Sequence, residues 1–148
     1  MRVEQILRKK GTRIITVRLR EPVAAAAKIM ATENIGALVV TDVVHTEGST
    51  VVGMFSERDV LRALVEKGQN VMRMPVESLM SKTLISCHPN DDIDDVMEKM
   101  DRHGIRHVPV LEGHTLVGVI SVRDVIHVLR GFMMARVAPA GLTIQQAG

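Results

Sequence analysis

Gly118-Val119-Ile120-Ser121-Val122-Arg123-Asp124 has a partner earlier in the chain, Gly53-Met54-Phe55-Ser56-Glu57-Arg58-Asp59. Each reads glycine, two apolar residues, serine, any residue, arginine, aspartate. Upstream stand Thr115-Leu116-Val117 and Thr50-Val51-Val52, apolar runs that suit a strand. Downstream stand Val125, Ile126, Val128 and Leu129 in one copy and Val60, Leu61, Leu64 and Val65 in the other, apolar positions at helical spacing. Each stretch is therefore a strand turning directly into a helix.

Working outward, the repeat extends over most of the chain, and internal repeats decide a fold before any single element does. Residues 51–65 fall on 116–130 with seven of fifteen positions identical, and 13–42 fall on 83–112 with the apolar pattern kept. The two offsets differ by an insertion around His45-Thr46-Glu47-Gly48-Ser49, loop composition where extra residues cost little. Val3-Glu4-Gln5-Ile6-Leu7 matches Val76-Glu77-Ser78-Leu79-Met80 ahead of both copies. The unit is short helix, strand, helix, strand, strand, helix, present twice. Identity is densest at the strand-to-helix turn, which points to a role for that turn beyond folding.

The spacing predicts a helix over 2–10 ended by Gly11, and a strand over 13–17. Pro22 opens a helix in its first turn, where a missing N–H is harmless, with Val23, Ala26, Ala27 and Met30 on one face. The second copy has Ile93, Val96, Met97 and Met100, with Asn90 as the expected N-cap. Asn34 and Gly104 close these helices, both being residues that tolerate the left-handed conformation. Strands are expected over 37–41, 50–55, 107–111 and 115–120. The last helix of each copy is expected to end near Gly68 or Gly131, with 69–75 linking the halves. The division is 1–70 for the first repeat with its leading helix, 71–134 for the second, and 135–148 as a frayed tail.

At 148 residues, 46% hydrophobic and 24% charged, the composition is that of a globular chain. One half alone is marginal in size, so the two should share a core. No apolar run reaches the ~20 residues of a membrane span, and residues 1–5 lack the apolar run of a signal peptide. The single cysteine, Cys87, fits a reducing, cytoplasmic setting. Net charge is only +2, with no Trp, no Tyr and two Phe, which argues against a nucleic-acid surface. His103 and His107 are four apart but separated by Gly104, so no metal site is expected. Cys87-His88 is an adjacent pair, not a nucleophile–base constellation, and no catalytic residue is expected.

The layout, with Gly-h-x-Ser-x-x-Asp closing each repeat, resembles a tandem CBS-domain pair, or Bateman module. Val76-Glu77-Ser78-Leu79-Met80 looks like the lead-in to such a repeat, and Ile105-Arg106-His107-Val108-Pro109-Val110 like the family's h-R-H-h-P-V strand. The first copy departs at Ile35-Gly36-Ala37-Leu38-Val39-Val40, which lacks the Arg, His and Pro. The resemblance implies an α+β fold of two CBS repeats (β-α-β-β-α), packed sheet to sheet about a pseudo-twofold axis. It implies adenine-nucleotide binding in the clefts: AMP, ADP or ATP, sometimes a dinucleotide or S-adenosylmethionine. It implies a homodimer, and a sensor of energy or ligand that acts on an unidentified regulated protein. Arg106 and His107 would face phosphate, and Thr16, Ser86, Ile15 and Ile85 would meet base and sugar.

Two readings of the turns stand side by side. Ser56 and Ser121 with Asp59 and Asp124 form capping boxes, which explains them structurally. A helix N-terminus also suits phosphate, an ionised aspartate accepts from ribose hydroxyls, and Arg58 and Arg123 offer bidentate phosphate contacts. The resulting expectation is a non-enzymatic AMP-binding regulatory module needing no metal. Its alternatives are an NAD(H)-binding redox sensor and a ligand-free dimerisation scaffold. The second turn is expected to be the stronger site, because Ser121, Arg123, Asp124, Arg106 and His107 all belong to the second copy.

Overall fold

The computed structural model describes residues 1–11, 14–44 and 48–136. In chain order it runs α1 (Val3–Lys10), β1 (Thr16–Arg18), α2 (Val23–Glu33), β2 (Ala37–Val44), β3 (Gly48–Ser56) and α3 (Glu57–Lys67). Two 3-10 turns follow, Gln69–Arg73 and Val76–Ser78, then α4 (Ile93–His103), β4 (His107–Glu112), β5 (Thr115–Ser121) and α5 (Val122–Arg136). The first sheet has the order β1-β2-β3, with β1 parallel and β3 antiparallel to β2. The second is the antiparallel pair β4-β5. Matching register shifts at Val40/Thr41 and Val110/Leu111 confirm that the halves are copies.

Asn34 (φ 54°) and Gly104 (φ 63°) close α2 and α4 in the left-handed region, as their residue types require. Other boundaries differ from expectation for identifiable reasons. Arg13 lies outside the described residues, and the first strand begins at Thr16. Pro22 is the cap of α2 and not its first helical residue. Asp92, not Asn90, caps α4, its Oδ1 accepting the Asp94 N–H at 2.9 Å; the Asn90 N–H is instead held by His88 Nδ1. Gly131 does not stop α5, which runs on to Arg136; residues 137–148 of the expected tail lie outside the described residues. The second copy's first strand shrinks to one bridge, Cys87 to Val110. Pro89 stands where Leu19 stands in the first copy. The Leu19 N–H donates to the Thr41 carbonyl, and proline has none to give.

The two cores are completed crosswise. Val3, Ile6 and Leu7 of α1 are buried with Ile93, Val96, Met100, Ile120 and Val125 of the second copy. Val76, Leu79 and Met80 pack with Val17, Leu38 and Phe55 of the first. The backbone repeats the exchange: Val3 and Glu4 N–H groups donate to Asp91 and Pro89 carbonyls, and Val76 and Glu77 to Glu21 and Leu19. This reciprocity is the pseudo-twofold relation between the halves. The apolar face of α1 is therefore spent inside the molecule, in the second core. The outer faces of α3 and α5 do stay open, with Leu61, Val65, Ile126, Leu129 and Met133 exposed. Among the described residues no helix is long and apolar enough to cross a membrane.

The matched lead-ins differ in length. After its first residue Val3–Lys10 holds good helix formers at every position but Ile6 and makes two full turns. In the second copy Ser78, Ser81 and Thr83 compete with the helix through their own side chains, so a single 3-10 turn ends at Ser78. The chain then runs extended, and Ser81 forms an antiparallel bridge to Met54 on β3.

Candidate functional site

Both turns are true capping boxes. In the first, the Asp59 N–H donates to Ser56 Oγ (3.3 Å) and the Ser56 N–H to Asp59 Oδ2 (2.8 Å). In the second, Asp124 and Ser121 do the same at 3.0 and 2.9 Å. The first helical N–H of each is also taken: Glu57 donates to the Gly36 carbonyl and Val122 to that of Arg106. The helix ends therefore keep less free donor capacity than the sequence suggested. Any anion held there depends more on side chains. Asp59 retains its second oxygen, Oδ1, which accepts no hydrogen bond among the described residues.

A cleft of about 410 Å³ opens over the first turn. Ser56, Glu57, Arg58, Asp59 and Arg62 form one wall, and Ser81, Thr83, Ile85, His103, Arg106 and His107 the other. The two walls come from different repeats. Arg106 and His107 thus line the cleft over the first copy's turn, which the expected grouping with Ser121, Arg123 and Asp124 did not include, while His107 stays paired with Ser121 across β4 and β5. The crosswise lead-ins carry the second half's strand starts to the first half's helix start. Arg58, Arg62 and Arg106 make no ion pair among the described residues. Three guanidinium groups and two carboxylates, Glu57 and Asp59, thus line one cleft, leaving an excess of positive charge for a polyvalent anion.

His107 sits between the two turns. Burial pushes its pKa down; Asp124 and Glu57 push it up, Lys10 and Arg106 push it down, and the net direction is down. The imidazole is therefore neutral near pH 7. A Cβ on Gly36 would stand 3.1 Å from His107 Cε1 and 3.3 Å from Glu57 Oε1. Gly36 is thus small because the other copy's histidine occupies the space, which explains why the first copy lacks the arginine found at Arg106.

The second turn opens on a hollow of about 690 Å³, but its carboxylate is engaged by a lysine where Asp59 is not. Lys10, the last residue of α1, places Nζ 2.7 Å from Asp124 Oδ2 and 2.7 Å from the Val119 carbonyl. Leu7 covers Gly118, where a Cβ would come within 2.7 Å of Leu7 Cδ2. Burial pushes the Asp124 pKa up, but the Lys10 hydrogen bond and the Ser121 N–H outweigh it, so the carboxyl lies below its ordinary range. Arg123 lines the adjoining hollow with Lys9 and His127. The first turn thus keeps a carboxylate without an ion pair among the described residues, whereas the second turn's carboxylate is paired with Lys10.

Of the remaining candidates, Ile85 lines the cleft. Ser86 stands outside it, its carbonyl accepting from Lys99 Nζ at 3.0 Å. Thr16 pairs with Val39 in the sheet, and Ile15 packs on the first core; neither joins the cleft. Arg62, Ser81, Thr83 and His103 were missed. Arg62 falls one helical turn after Arg58, on the same face, and that spacing was the available signal. Cys87 is buried; burial and the nearby Asp91 raise its pKa, against Lys99, to about 12, so the thiol is inert.

The family model for the CBS domain matches twice, at residues 3–66 and 76–131. The chain is 30% identical over 113 residues to the CBS domain-containing protein YhcV of Bacillus subtilis, covering 76% of each. Among solved structures, the CBS-domain containing protein ATU1752 of Agrobacterium tumefaciens superposes with a TM-score of 0.79 at 36% identity, over 85% of this chain and 91% of that one. The CBS domain pair of protein MJ0100, in complex with 5-methylthioadenosine and S-adenosyl-L-methionine, superposes with a TM-score of 0.75 at 27% identity, over 89% and 98%. With two matching repeats, a shared tertiary structure and paired capping-box turns, this chain belongs to the CBS-domain family as a tandem pair.

Proposed function

We propose that the chain is a non-enzymatic regulatory module that binds an adenine nucleotide, AMP, ADP or ATP, in the cleft between its repeats. One observation carries this: Arg58, Arg62 and Arg106, from both repeats, converge without ion-pair partners among the described residues, beside the open Asp59 carboxylate. The related pair with 5-methylthioadenosine and S-adenosylmethionine supports an adenosine ligand. Guanidinium groups disfavour the cationic S-adenosylmethionine and gain nothing from the uncharged thioadenosine, whereas phosphate takes them bidentately. Asp59 would accept from the ribose hydroxyls. A nucleotide bridging the two walls favours one relative orientation of the repeats and so changes affinity for a regulated protein. NAD(H) satisfies the same groups through its pyrophosphate.

The test is thermal. Ligand that binds only the folded state stabilises by about 2.7 kcal/mol at 100 times Kd, and a clear rise in Tm with millimolar AMP, ADP or ATP is expected. Protein shown by mass spectrometry to be nucleotide-free, with no shift in any adenine nucleotide or NAD(H), would leave the ligand-free scaffold as the answer.

We also propose a homodimer. Leu61 and Val65 on α3, 63% and 87% exposed, and Ile126, Leu129 and Met133 on α5 are apolar area that a single pair leaves in water. Light scattering should return about twice 16.3 kDa. The monomer mass at tens of micromolar would count against it.

A further inference from the structure

We infer that Lys10 is a tethered occupant of the second turn, so that the chain takes one nucleotide, in the first cleft, and holds its second site closed with its own ammonium group. The inference rests on the adenine-nucleotide reading above and adds a stoichiometry and a residue that sets it.

The two turns are copies, so their differences are informative. Met54 and Val119 occupy matching places on β3 and β5. The Met54 carbonyl accepts the Ser81 backbone N–H at 2.9 Å, because the second lead-in is extended there. The first lead-in is still helical at that point and cannot offer a backbone donor. Lys10 Nζ takes the Val119 carbonyl instead, at 2.7 Å, and the same ammonium reaches Asp124. A backbone bridge that leaves Asp59 without an ion pair is thereby replaced by a side chain that pairs with Asp124.

Closure is more than a surface ion pair. The Lys10 and Asp124 side chains are 28% and 21% exposed, and the ammonium bonds two oxygens at once. Charge-assisted bonds of this length are among the stronger ones in proteins. α1 cannot swing away, since Val3, Ile6 and Leu7 are buried in the second core. Leu7 also fills the space beside Gly118. Lys10 and the Ser121 N–H both fall on Oδ2, so Asp124 keeps Oδ1 as Asp59 does; the difference is that the Lys10 ammonium already neutralises the Asp124 charge, and among the described residues no second carboxylate lines that hollow. Lys9, Arg123 and His127 remain around it, so the place can attract an anion but offers the sugar only a carboxylate already paired with an ammonium group.

Calorimetric titration of the full chain with ATP, and separately with AMP, tests this. Wild type should take one nucleotide per chain. Lys10→Met keeps the linear stem and removes the charge; it should keep the first-site affinity and gain a second site, giving two per chain. Lys10→Arg keeps the charge and should stay at one, which guards against a general loosening of α1. Two nucleotides per wild-type chain, or one per chain in a Lys10→Met protein with a cooperative melt, would overturn the inference while leaving adenine-nucleotide binding standing. No binding in either protein would remove the parent reading and this one with it.

Discussion

Asp59→Ala is expected to weaken adenine-nucleotide binding about 10- to 150-fold. A hydrogen bond to a charged acceptor contributes roughly 1.5–3 kcal/mol, and 1.4 kcal/mol is about tenfold. Asp59 lines the cleft and keeps Oδ1 free, so the loss falls on the ligand. The same carboxylate also receives the Ser56 N–H, and its removal costs about 1 kcal/mol of capping. Melting curves recorded beside the titration separate the two effects. Asn at this position keeps the shape and part of the acceptor capacity, so Asp59→Asn should fall between. Asp124→Ala is expected to behave differently, because its partner is Lys10. Its effect should show in stability and hardly in affinity. An Asp124→Ala protein that loses more affinity than Asp59→Ala would restore the ranking that the sequence alone suggested.

Gly53→Ala should destabilise the fold by about 1–3 kcal/mol, the usual range for an overpacked site. In a chain of this length that lowers Tm by roughly 2–4 °C per kcal/mol. A Cβ on Gly53 would lie 2.5 Å from the Ser81 carbonyl oxygen and 3.1 Å from Met80 Sδ. The carbonyl belongs to the bridge that binds the second lead-in to β3, where Met54 and Ser81 exchange both backbone bonds. Backbone held on both sides cannot step aside. Gly118→Ala is the control: its Cβ would meet Leu7 Cδ2, the end of a flexible side chain, which can turn away at lower cost. Gly118→Ala should therefore be the milder change, and equal losses from the two variants would show that the bridge is not what makes Gly53 necessary.

These two glycines illustrate what the sequence could reveal. Their place in a twice-repeated turn was legible, because repetition shows in a single chain and capping boxes follow from residue type and spacing. Asn34 and Gly104 were legible for the same local reason. The partners of Gly53 and Gly118 were not, since Ser81 and Leu7 reach them only through the exchange of lead-ins. The same limit misplaced Arg106 and His107. Sequence proximity grouped them with Ser121, whereas the site is assembled across the pseudo-twofold axis. Lys10 was invisible for a further reason: a lysine at a helix C-terminus satisfies the helix dipole and needs no other explanation. The choice of Asp92 over Asn90 was a local competition among adjacent capping residues, decided by which one could reach the Asp94 N–H.

The exchange of lead-ins also changes what kind of object the chain is. Each half holds a strip of core that the other lacks, as two protomers of a swapped dimer do. Residues 69–75 turn that association into an intramolecular one. A short linker presents the partner at an effective concentration on the order of millimolar, whatever the dilution of the protein. Neither half is then a module that could be moved alone into another protein. The part that can be transplanted is the fused pair, with α1 included, since without Val3, Ile6 and Leu7 it is the distal repeat that would lose its lining.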